Sequence, residues 1–237
     1  HLHNHSQFSV LQSTISIPDL VAAAAEEDMS AVALTDHANM MGAFHFVKEV
    51  GSYNKGVADH NASAEENGEA LRKPLKAILG CEFFVCENHL DKSRKDNGYQ
   101  VVILAKNKKG YHNLAKMSSK AYTDGFYYVP RIDKEVIKEY KEDLIVLTGN
   151  LYGEVPSKIL NVGEKQAEEA LLWWKEEFGE DLYIELMRHD QEDENRVNPV
   201  LVEFSRKHEV KLIATNNTYY WKQEDANAHD ILLCVKD

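Results

Sequence analysis

The chain has 237 residues, 43% of them hydrophobic, which suits one large α/β domain or two small ones that need no disulfide or structural metal to fold. Its formal net charge is −12, and an acidic surface repels phosphate backbones, so we expect no strong direct DNA or RNA binding. No apolar run is long enough to cross a membrane, and neither a secretory signal nor a Cys-x-x-Cys pair is present, so we predict a cytoplasmic location. The start without Met indicates a piece of a longer protein.

The chain opens with His1, His3 and His5, three imidazoles at alternate positions. If the segment is extended, the three side chains point to the same side. Neutral imidazole is the commonest metal ligand near pH 7, so two or three of them on one face could chelate a divalent transition metal. An affinity-tag remnant or a solvated terminus is the alternative, but residues 6–9 are more typical of a folded continuation than of a linker.

Short apolar runs then alternate with helical patterns. Strands are predicted at the N-terminal His run and at 31–35, 75–85, 101–104, 144–147, 182–186 and 211–215. Helices are predicted at 17–27, with Ser16 as N-cap and Pro18 in the first turn, and at 42–53, 111–122, 133–140, 156–160, 164–178 and 198–208. Repeated strand–helix units predict parallel strands, and seven of them favour a barrel over an open doubly wound sheet. The polar residues 55–73 are predicted to be a mobile surface insertion.

The carboxyl ends of parallel strands are where function gathers in α/β folds. Four residues at such positions have the chemistry of a metal site: His3, His5, His37 and Glu82. Asp36 could orient the ring of a ligand histidine. Glu82 stands in an otherwise apolar run, and a buried carboxylate needs a partner such as a metal or a protonated imidazole. The alternative is that each histidine is an ordinary hydrogen-bonded polar residue.

Amides occupy other strand-end positions, where a hydrolase needs charged groups. These residues are Gln12, Gln100, Asn150 and Asn217. An amide oxygen is a poor ligand for Zn²⁺ or Mn²⁺ and cannot act as a general base. A two-metal phosphoesterase usually needs more carboxylates and imidazoles than remain in this chain.

The opening residues 1–9 (HLHNHSQFS) resemble the first motif of the PHP (polymerase and histidinol phosphatase) superfamily. More narrowly, the chain resembles the PHP domain of bacterial replicative DNA polymerase III alpha subunits. The stretches that carry this resemblance are ALTDH (33–37), LGCE (79–82), GYHNL (110–114), PRID (130–133), ATNN (214–217) and AHDILL (228–233). Each is weak alone, but their order over nearly the whole chain makes the set specific.

The resemblance implies an α/β fold, a distorted seven-stranded (β/α)7 TIM-like barrel, with residues 1–237 forming a single PHP domain of a longer polymerase chain. Intact members carry three metal ions at the barrel mouth and hydrolyse phosphoesters. The ligand positions that persist are His3, His5, His37 and Glu82. The family's other ligands, an Asp, a His, a Cys or His and a final Asp-x-His, fall on Gln12, Gln100, Asn150, Asn217 and Tyr219. A full cluster is therefore not expected, and residual Zn, Mn or Fe at low occupancy is the implied cofactor.

By the same resemblance, the parent chain is a DNA-directed DNA polymerase, a nucleotidyltransferase of DNA replication. Nucleotidyl transfer needs closely spaced carboxylates for Mg²⁺, but this sequence contains no Asp-x-Asp pair, so the polymerase site would lie beyond residue 237. The implied role of this part is structural: to brace the remainder of the alpha chain and to dock the proofreading exonuclease subunit.

Two alternatives remain from the sequence. One is a metal-dependent phosphoesterase or 3′–5′ exonuclease that works with a reduced metal set. The other is a stand-alone phosphatase related to histidinol phosphatase, against which the stretches 110–133 and 214–233 argue.

Overall fold

The structure, a computed structural model, describes residues 1–236 except the side chains of residues 65, 66 and 236. The chain forms two compact units, each assembled from separate stretches. The first unit contains His1–Asp36, Met41–Leu79 and Thr218–Asp237, and the second contains His37–Met40 and Gly80–Asn217. That residues 1–237 act as a single domain stays a prediction, and its end at residue 237 lies outside the described residues.

Helices and strands alternate along most of the chain. The helices are α1 (Ile17–Glu26), α2 (Ala43–Asn67), α3 (Lys108–Thr123), α4 (Lys134–Tyr140), α5 (Glu154–Asn161), α6 (Glu164–Phe178), α7 (Glu192–His208) and α8 (Ala226–Lys236). The strands are β1 (Ala31–Leu34), β2 (Lys76–Cys86), β3 (Tyr99–Ala105), β4 (Arg131–Asp133), β5 (Leu144–Leu147), β6 (Leu182–Leu186) and β7 (Lys211–Ala214). The α/β class is therefore confirmed.

The first unit packs α1 and α2 beside a short parallel strand pair. β1 pairs with residues 76–79 of β2. Its core contains Ile17 and Val21 of α1, Phe46 and Val50 of α2, and Val32 of β1. The predicted cap of α1 is confirmed, since the Ser16 hydroxyl accepts a hydrogen bond from the backbone N–H of Asp19 at 3.2 Å.

Helix α2 continues well past the predicted end at residue 53, so residues 55–67 are helical. The polar side chains on this part of the helix hold the returning chain. Asn54 exchanges two hydrogen bonds with the backbone of Leu75, at 2.8 and 2.9 Å, and Asn61 does the same with Arg72. The two asparagine amides thus supply the backbone of the returning chain with hydrogen-bond partners. The mobility of residues 55–73 stays a prediction.

The second unit contains a mixed sheet, so the prediction of all-parallel strands was wrong. β3 runs antiparallel to both β2 and β5, whereas β4 pairs in parallel with β2, and β5, β6 and β7 pair in parallel in that order. The reason is that residues 87–98 connect β2 to β3 without a helix, and a parallel pair requires a long crossover. The predicted N-terminal strand is only an isolated bridge between Asn4 and Thr218 in the first unit. A closed seven-stranded barrel is not confirmed.

The core of the second unit lies where helices cover this sheet. Ile103 of β3 and Val146 of β5 are fully buried, as are Leu114 and Met117 of α3 and Leu171 of α6. The near-continuous burial of β3 and β5 is what the apolar runs of the sequence predicted.

A buried arginine fixes the 87–98 connection. Arg131 is 0% exposed, and its guanidinium donates hydrogen bonds of 2.9–3.1 Å to the backbone carbonyls of Gly125, Asp96, His89 and Asp91. Three of these four acceptors belong to the connection. The planar five-donor fork of arginine suits it to hold several carbonyls at once.

A buried carboxylate, Glu154, joins the starts of α4 and α5. Its Oε1 accepts hydrogen bonds from the ammonium groups of Lys134 at 3.0 Å and Lys158 at 2.8 Å, and its Oε2 accepts one from the Trp174 indole at 2.9 Å. Burial raises the pKa of Glu154. The charges and hydrogen bonds of the two lysines lower it by more than burial raises it, so the pKa lies below the ordinary value of 4.5.

This network predicts a pH dependence of stability. A carboxyl group with a lowered folded pKa stabilises the fold above its unfolded pKa, and the contribution is lost as the pH falls through the folded pKa. We expect the free energy of unfolding of the parent protein to fall more steeply from about pH 5 downwards than that of Glu154→Gln, by urea denaturation at several pH values. Exposed Glu203→Gln is the control and changes the stability at pH 7 by less than about 0.5 kcal/mol. Parallel curves for the parent and Glu154→Gln would contradict the assignment.

None of the helices within residues 1–236 combines the length and the apolar character needed to span a membrane.

Candidate functional site

The N-terminal histidines are held by the backbone of the first unit. The His5 N–H donates to the Thr218 carbonyl at 2.9 Å, and the Thr218 N–H donates to the His3 carbonyl at 3.0 Å. Asn4 between them accepts a hydrogen bond at its carbonyl from the Thr35 N–H at 2.9 Å and donates its own N–H to the Thr35 hydroxyl. The Asn4 side chain donates to the Ala33 carbonyl of β1 at 2.9 Å. Because side chains alternate along an extended segment, those of His3 and His5 lie on the opposite face.

His3 and His5 are both 0% exposed, and their ring centroids lie 5.2 Å apart. His5 Nδ1 lies 3.3 Å from the Thr218 carbonyl oxygen. In the tautomer with the proton on Nδ1, this nitrogen donates to the carbonyl, and Nε2 carries the lone pair that a metal would use. The predicted side-by-side placement of two imidazoles is therefore present in the first unit.

Two of the positions predicted to be substituted ligands, Gln12 and Tyr219, also lie in the first unit. Tyr219 stacks on His5 with ring centroids 4.2 Å apart and an interplanar angle of 4°. The Gln12 carbonyl oxygen lies 2.8 Å from His229 Nε2, on α8. In this unit, a phenol and a backbone contact occupy two of the positions predicted to be substituted ligands.

Asp36, predicted to orient an imidazole, binds the loop that follows the histidines. It accepts hydrogen bonds from the Ser6 N–H at 2.6 Å, the Ser6 hydroxyl at 2.8 Å and the Ser9 hydroxyl at 2.7 Å. These contacts fix the 6–9 loop, and a role for Asp36 towards a ligand histidine stays a prediction.

In the second unit, His37 and Glu82 lie side by side. The Ala38 N–H donates to the Glu82 carbonyl at 2.8 Å, so the chain after β1 forms an isolated parallel bridge with β2. His37 Nδ1 is 3.8 Å from Glu82 Oε1, and Glu82 is 0% exposed. His37 also stacks on Phe84, two residues along the same strand, with centroids 5.8 Å apart. The structure thus pairs an imidazole with a buried carboxylate, as the apolar context of Glu82 predicted.

Gln100 and Asn150 are also in the second unit, and they bind each other. The Asn150 amide donates to Gln100 Oε1 at 2.8 Å, and Asn150 Oδ1 accepts from the Tyr152 N–H at 2.8 Å. The close approach depends on Gly149, which has φ +87°, and whose added Cβ would lie 2.4 Å from the Gln100 carbonyl oxygen. Two of the positions predicted to be substituted ligands therefore form a neutral, hydrogen-bonded pair.

Asn217 lies on a cleft of about 270 Å³ together with Asn150. Its backbone is left-handed, with φ +49°, and within the described chain its buried Oδ1 has no hydrogen-bond partner. Asparagine tolerates this conformation better than most residues, because its short amide can bond locally.

A histidine–carboxylate pair that the sequence reasoning missed lies on the same cleft. His189 Nδ1 is 2.7 Å from Glu194 Oε1, and His189 Nε2 is 3.0 Å from the Asn216 carbonyl oxygen. Burial raises the pKa of Glu194, but the hydrogen bonds and charge of His189 lower it more, so it lies below its usual range.

Sequence reasoning also missed Glu185, which is 2% exposed on β6 and accepts a hydrogen bond from the Thr215 hydroxyl. The signal was available, because Glu185 interrupts the apolar run 182–186 just as Glu82 interrupts β2.

Comparison with known proteins identifies a matching family and several relatives of this chain. The sequence profile of the PHP domain family matches residues 1–189. DNA polymerase III subunit alpha of Treponema pallidum is 40% identical over 240 residues, covering 99% of this chain and 19% of the relative. The subunits of Borreliella burgdorferi and Thermus aquaticus are each 37% identical, covering 99% and 100% of this chain and 19% and 18% of the relatives. The chain thus spans about a fifth of these relatives' length.

Two solved structures share the fold at low sequence identity. A candidate metal-dependent phosphoesterase from Bifidobacterium adolescentis has a TM-score of 0.52 and 14% identity, covering 92% of this chain and 86% of that chain. An amidohydrolase from Chromobacterium violaceum, solved with sulfate and no metal, has a TM-score of 0.50 and 13% identity, covering 94% and 88%. With the profile match over most of its length, the chain belongs to the PHP domain family and matches the DNA polymerase III alpha subunits within it.

Proposed function

We propose that the chain serves as the N-terminal PHP domain of a replicative DNA polymerase III alpha subunit, in the cytoplasm, and that its own role is structural. It would brace the remainder of that chain and dock the proofreading exonuclease subunit. The support is that the matches run over 99–100% of this chain but less than a fifth of the relatives. DNA polymerase activity would belong to the remainder.

The observation that carries a structural role is the Gln100–Asn150 pair. The Asn150 amide donates to Gln100 Oε1 at 2.8 Å, in the second unit, at two positions where the family resemblance assigns a His and a Cys or His as ligands. A neutral pair of this kind holds together without any ion, because its two amides are hydrogen-bonded to each other. In the first unit, the stacking of Tyr219 on His5 likewise replaces a ligand with a packing contact.

The surviving donors are too few for three ions. His3 and His5 in the first unit and His37 and Glu82 in the second are imidazoles and a carboxylate, the kinds of ligand that Zn, Mn or Fe takes. A trinuclear cluster does not fit, since amides and a phenol lack the charge that bridging ligands need. When bound, a metal ion would supply an activated water. The candidate ligands are His3 and His5 in the first unit, and His37 and Glu82 in the second.

A second candidate function is a phosphoesterase or 3′–5′ exonuclease that works with this reduced set. The observation in its favour is that His3, His5 and Glu82 are all 0% exposed. Burying ionisable groups costs free energy, and a bound metal ion would offset that cost.

Metal analysis separates the two functions. We expect substoichiometric Zn, Mn and Fe in the purified protein, and no hydrolysis of a chromogenic phosphodiester above background after adding Mn²⁺ or Zn²⁺. His3→Ala and Glu82→Gln should leave this background unchanged. Exposed His112→Ala, on α3, controls for nonspecific metal binding by surface histidines.

The opposite result would reject the structural role. Stoichiometric metal together with activity that both His3→Ala and Glu82→Gln abolish, and that His112→Ala retains, would make the reduced-set enzyme the correct function.

A further inference from the structure

A second cleft, of about 700 Å³, lies in the second unit beside the 87–98 connection. Four cationic side chains line it, although the whole protein carries a net charge of −12. They are Arg94 and Lys95 of the connection, Lys134 at the start of α4, and Lys158 on α5. None of them belongs to the set of family ligand positions.

The acidic groups in this cleft are already engaged. Glu154 accepts from both lysines and from Trp174, and Glu87 pairs with Arg94. Asp96 accepts hydrogen bonds from the backbone N–H groups of Glu87 at 3.0 Å and Gly98 at 2.9 Å. Four cations against three carboxylates leave the cleft with a net charge of +1.

The two lysines at the base of the cleft are held close together. Because both bond to the same oxygen of Glu154, their ammonium nitrogens are at most about 6 Å apart. The Lys134 ammonium also lies 4.3 Å from the ring centroid of Trp173, and that of Lys158 lies 5.9 Å from the centroid of Tyr99. Each ammonium has three donors, and Glu154 takes one from each, so further donors remain for an anion.

The loop side of the cleft is rigid. Arg131 holds the carbonyls of His89, Asp91 and Asp96, and Gly98 packs directly on β2. Gly98 has φ +73°, and an added Cβ would lie 2.4 Å from the Val85 carbonyl carbon, so glycine is required there. Preorganised charged groups bind with a smaller entropic cost than mobile ones.

We propose that this cleft binds a single phosphate group, either free or at the end of a mononucleotide. A phosphate carries nearly two negative charges near pH 7 and several acceptor oxygens, which match two adjacent ammonium groups better than one carboxylate does. The charge of −12 repels a long polyanion, so a lone phosphate is favoured over duplex DNA. The proposal is independent of the metal ligands and of the proposed structural role.

Isothermal titration at low ionic strength tests it, with inorganic phosphate and adenosine monophosphate as separate probes. We expect both to bind, and Lys134→Gln and Lys158→Gln to weaken binding by about tenfold each, the effect of one charged hydrogen bond. Lys165→Gln, an exposed lysine on α6 outside the cleft, makes the same change in net charge and should bind like the parent. Tighter binding of the nucleotide than of phosphate would assign the site to a nucleotide, and equal binding to phosphate alone.

Glu154→Gln provides a test in the opposite direction. Removing this carboxylate raises the charge of the cleft, so phosphate should bind more tightly than to the parent. Lys95→Gln, which lies outside the Glu154 network, should weaken binding by about twofold to fivefold and replaces a lysine variant that fails to fold. No binding of either probe by the folded parent, or equal binding by the parent and the folded cleft variants, would overturn the proposal.

Discussion

We expect Arg131→Met to lower the free energy of unfolding by about 3–5 kcal/mol, measured by urea denaturation. The guanidinium is 0% exposed and bonds to four backbone carbonyls, and methionine satisfies none of them. Because the guanidinium site is buried, each carbonyl that loses its donor there costs free energy. Arg131→Lys keeps the charge but not the planar fork, so its loss of stability should be intermediate.

The connection itself gives a second measurement. If Arg131 fixes it, Arg131→Met should speed tryptic cleavage after Lys92, Arg94 and Lys95, because local opening exposes the backbone. Arg206→Met, at an exposed position on α7, is the control, with a change in stability below about 0.5 kcal/mol. Stability and cleavage rates equal to those of the parent would show that the four hydrogen bonds do not hold the loop.

Local patterns in the sequence predicted most of the regular elements. The strands at 144–147 and 182–186 and the helix at 164–178 have the predicted bounds, since long or strongly apolar runs leave little choice of structure. Glu82 was also identified correctly as a buried carboxylate in a strand. These features depend on residues that are neighbours in the chain.

Other features depend on residues far apart in the chain. The antiparallel direction of β3 follows from the absence of a helix in residues 87–98. Counting strand–helix units along the whole chain did not show that this one connection lacks a helix. Strand β4 has three residues, too few for a pattern, and it forms because β2 offers an edge. The contacts that hold the returning chain against α2 come from Asn54 and Asn61, whose partners lie 21 and 11 residues away.

The candidate site likewise combines features that the sequence predicts with features that it does not. The sequence shows which residue types are candidate ligands, but not which residues they contact. Gln100 and Asn150 are 50 residues apart, and only the fold reveals that their amides bond to each other. If these positions are substituted ligands, as the sequence predicts, the two amides supply each other with a hydrogen-bond partner where two ligands would have shared an ion.

Restoring the family's ligands should therefore produce the largest change in activity. By the family pattern, the five changes are Gln12→Asp, Gln100→His, Asn150→Cys, Asn217→Asp and Tyr219→His. We expect the combined variant to bind more metal than the parent and to hydrolyse a chromogenic phosphodiester at least about 100-fold faster with Mn²⁺, because charged donors replace amides. Adding Glu82→Gln to this variant should remove the gain.

The restored variant also makes a prediction about stability that does not depend on activity. Without metal it loses the Gln100–Asn150 hydrogen bond and the stacking of Tyr219 on His5, so its thermal unfolding temperature should fall below that of the parent. Mn²⁺ binds the folded state and should raise that temperature again, by an amount that grows with metal concentration, whereas the parent should respond little. A parent protein that responds to Mn²⁺ as strongly as the restored variant would mean that its amides never displaced the metal. The structural role proposed for this domain would then be wrong.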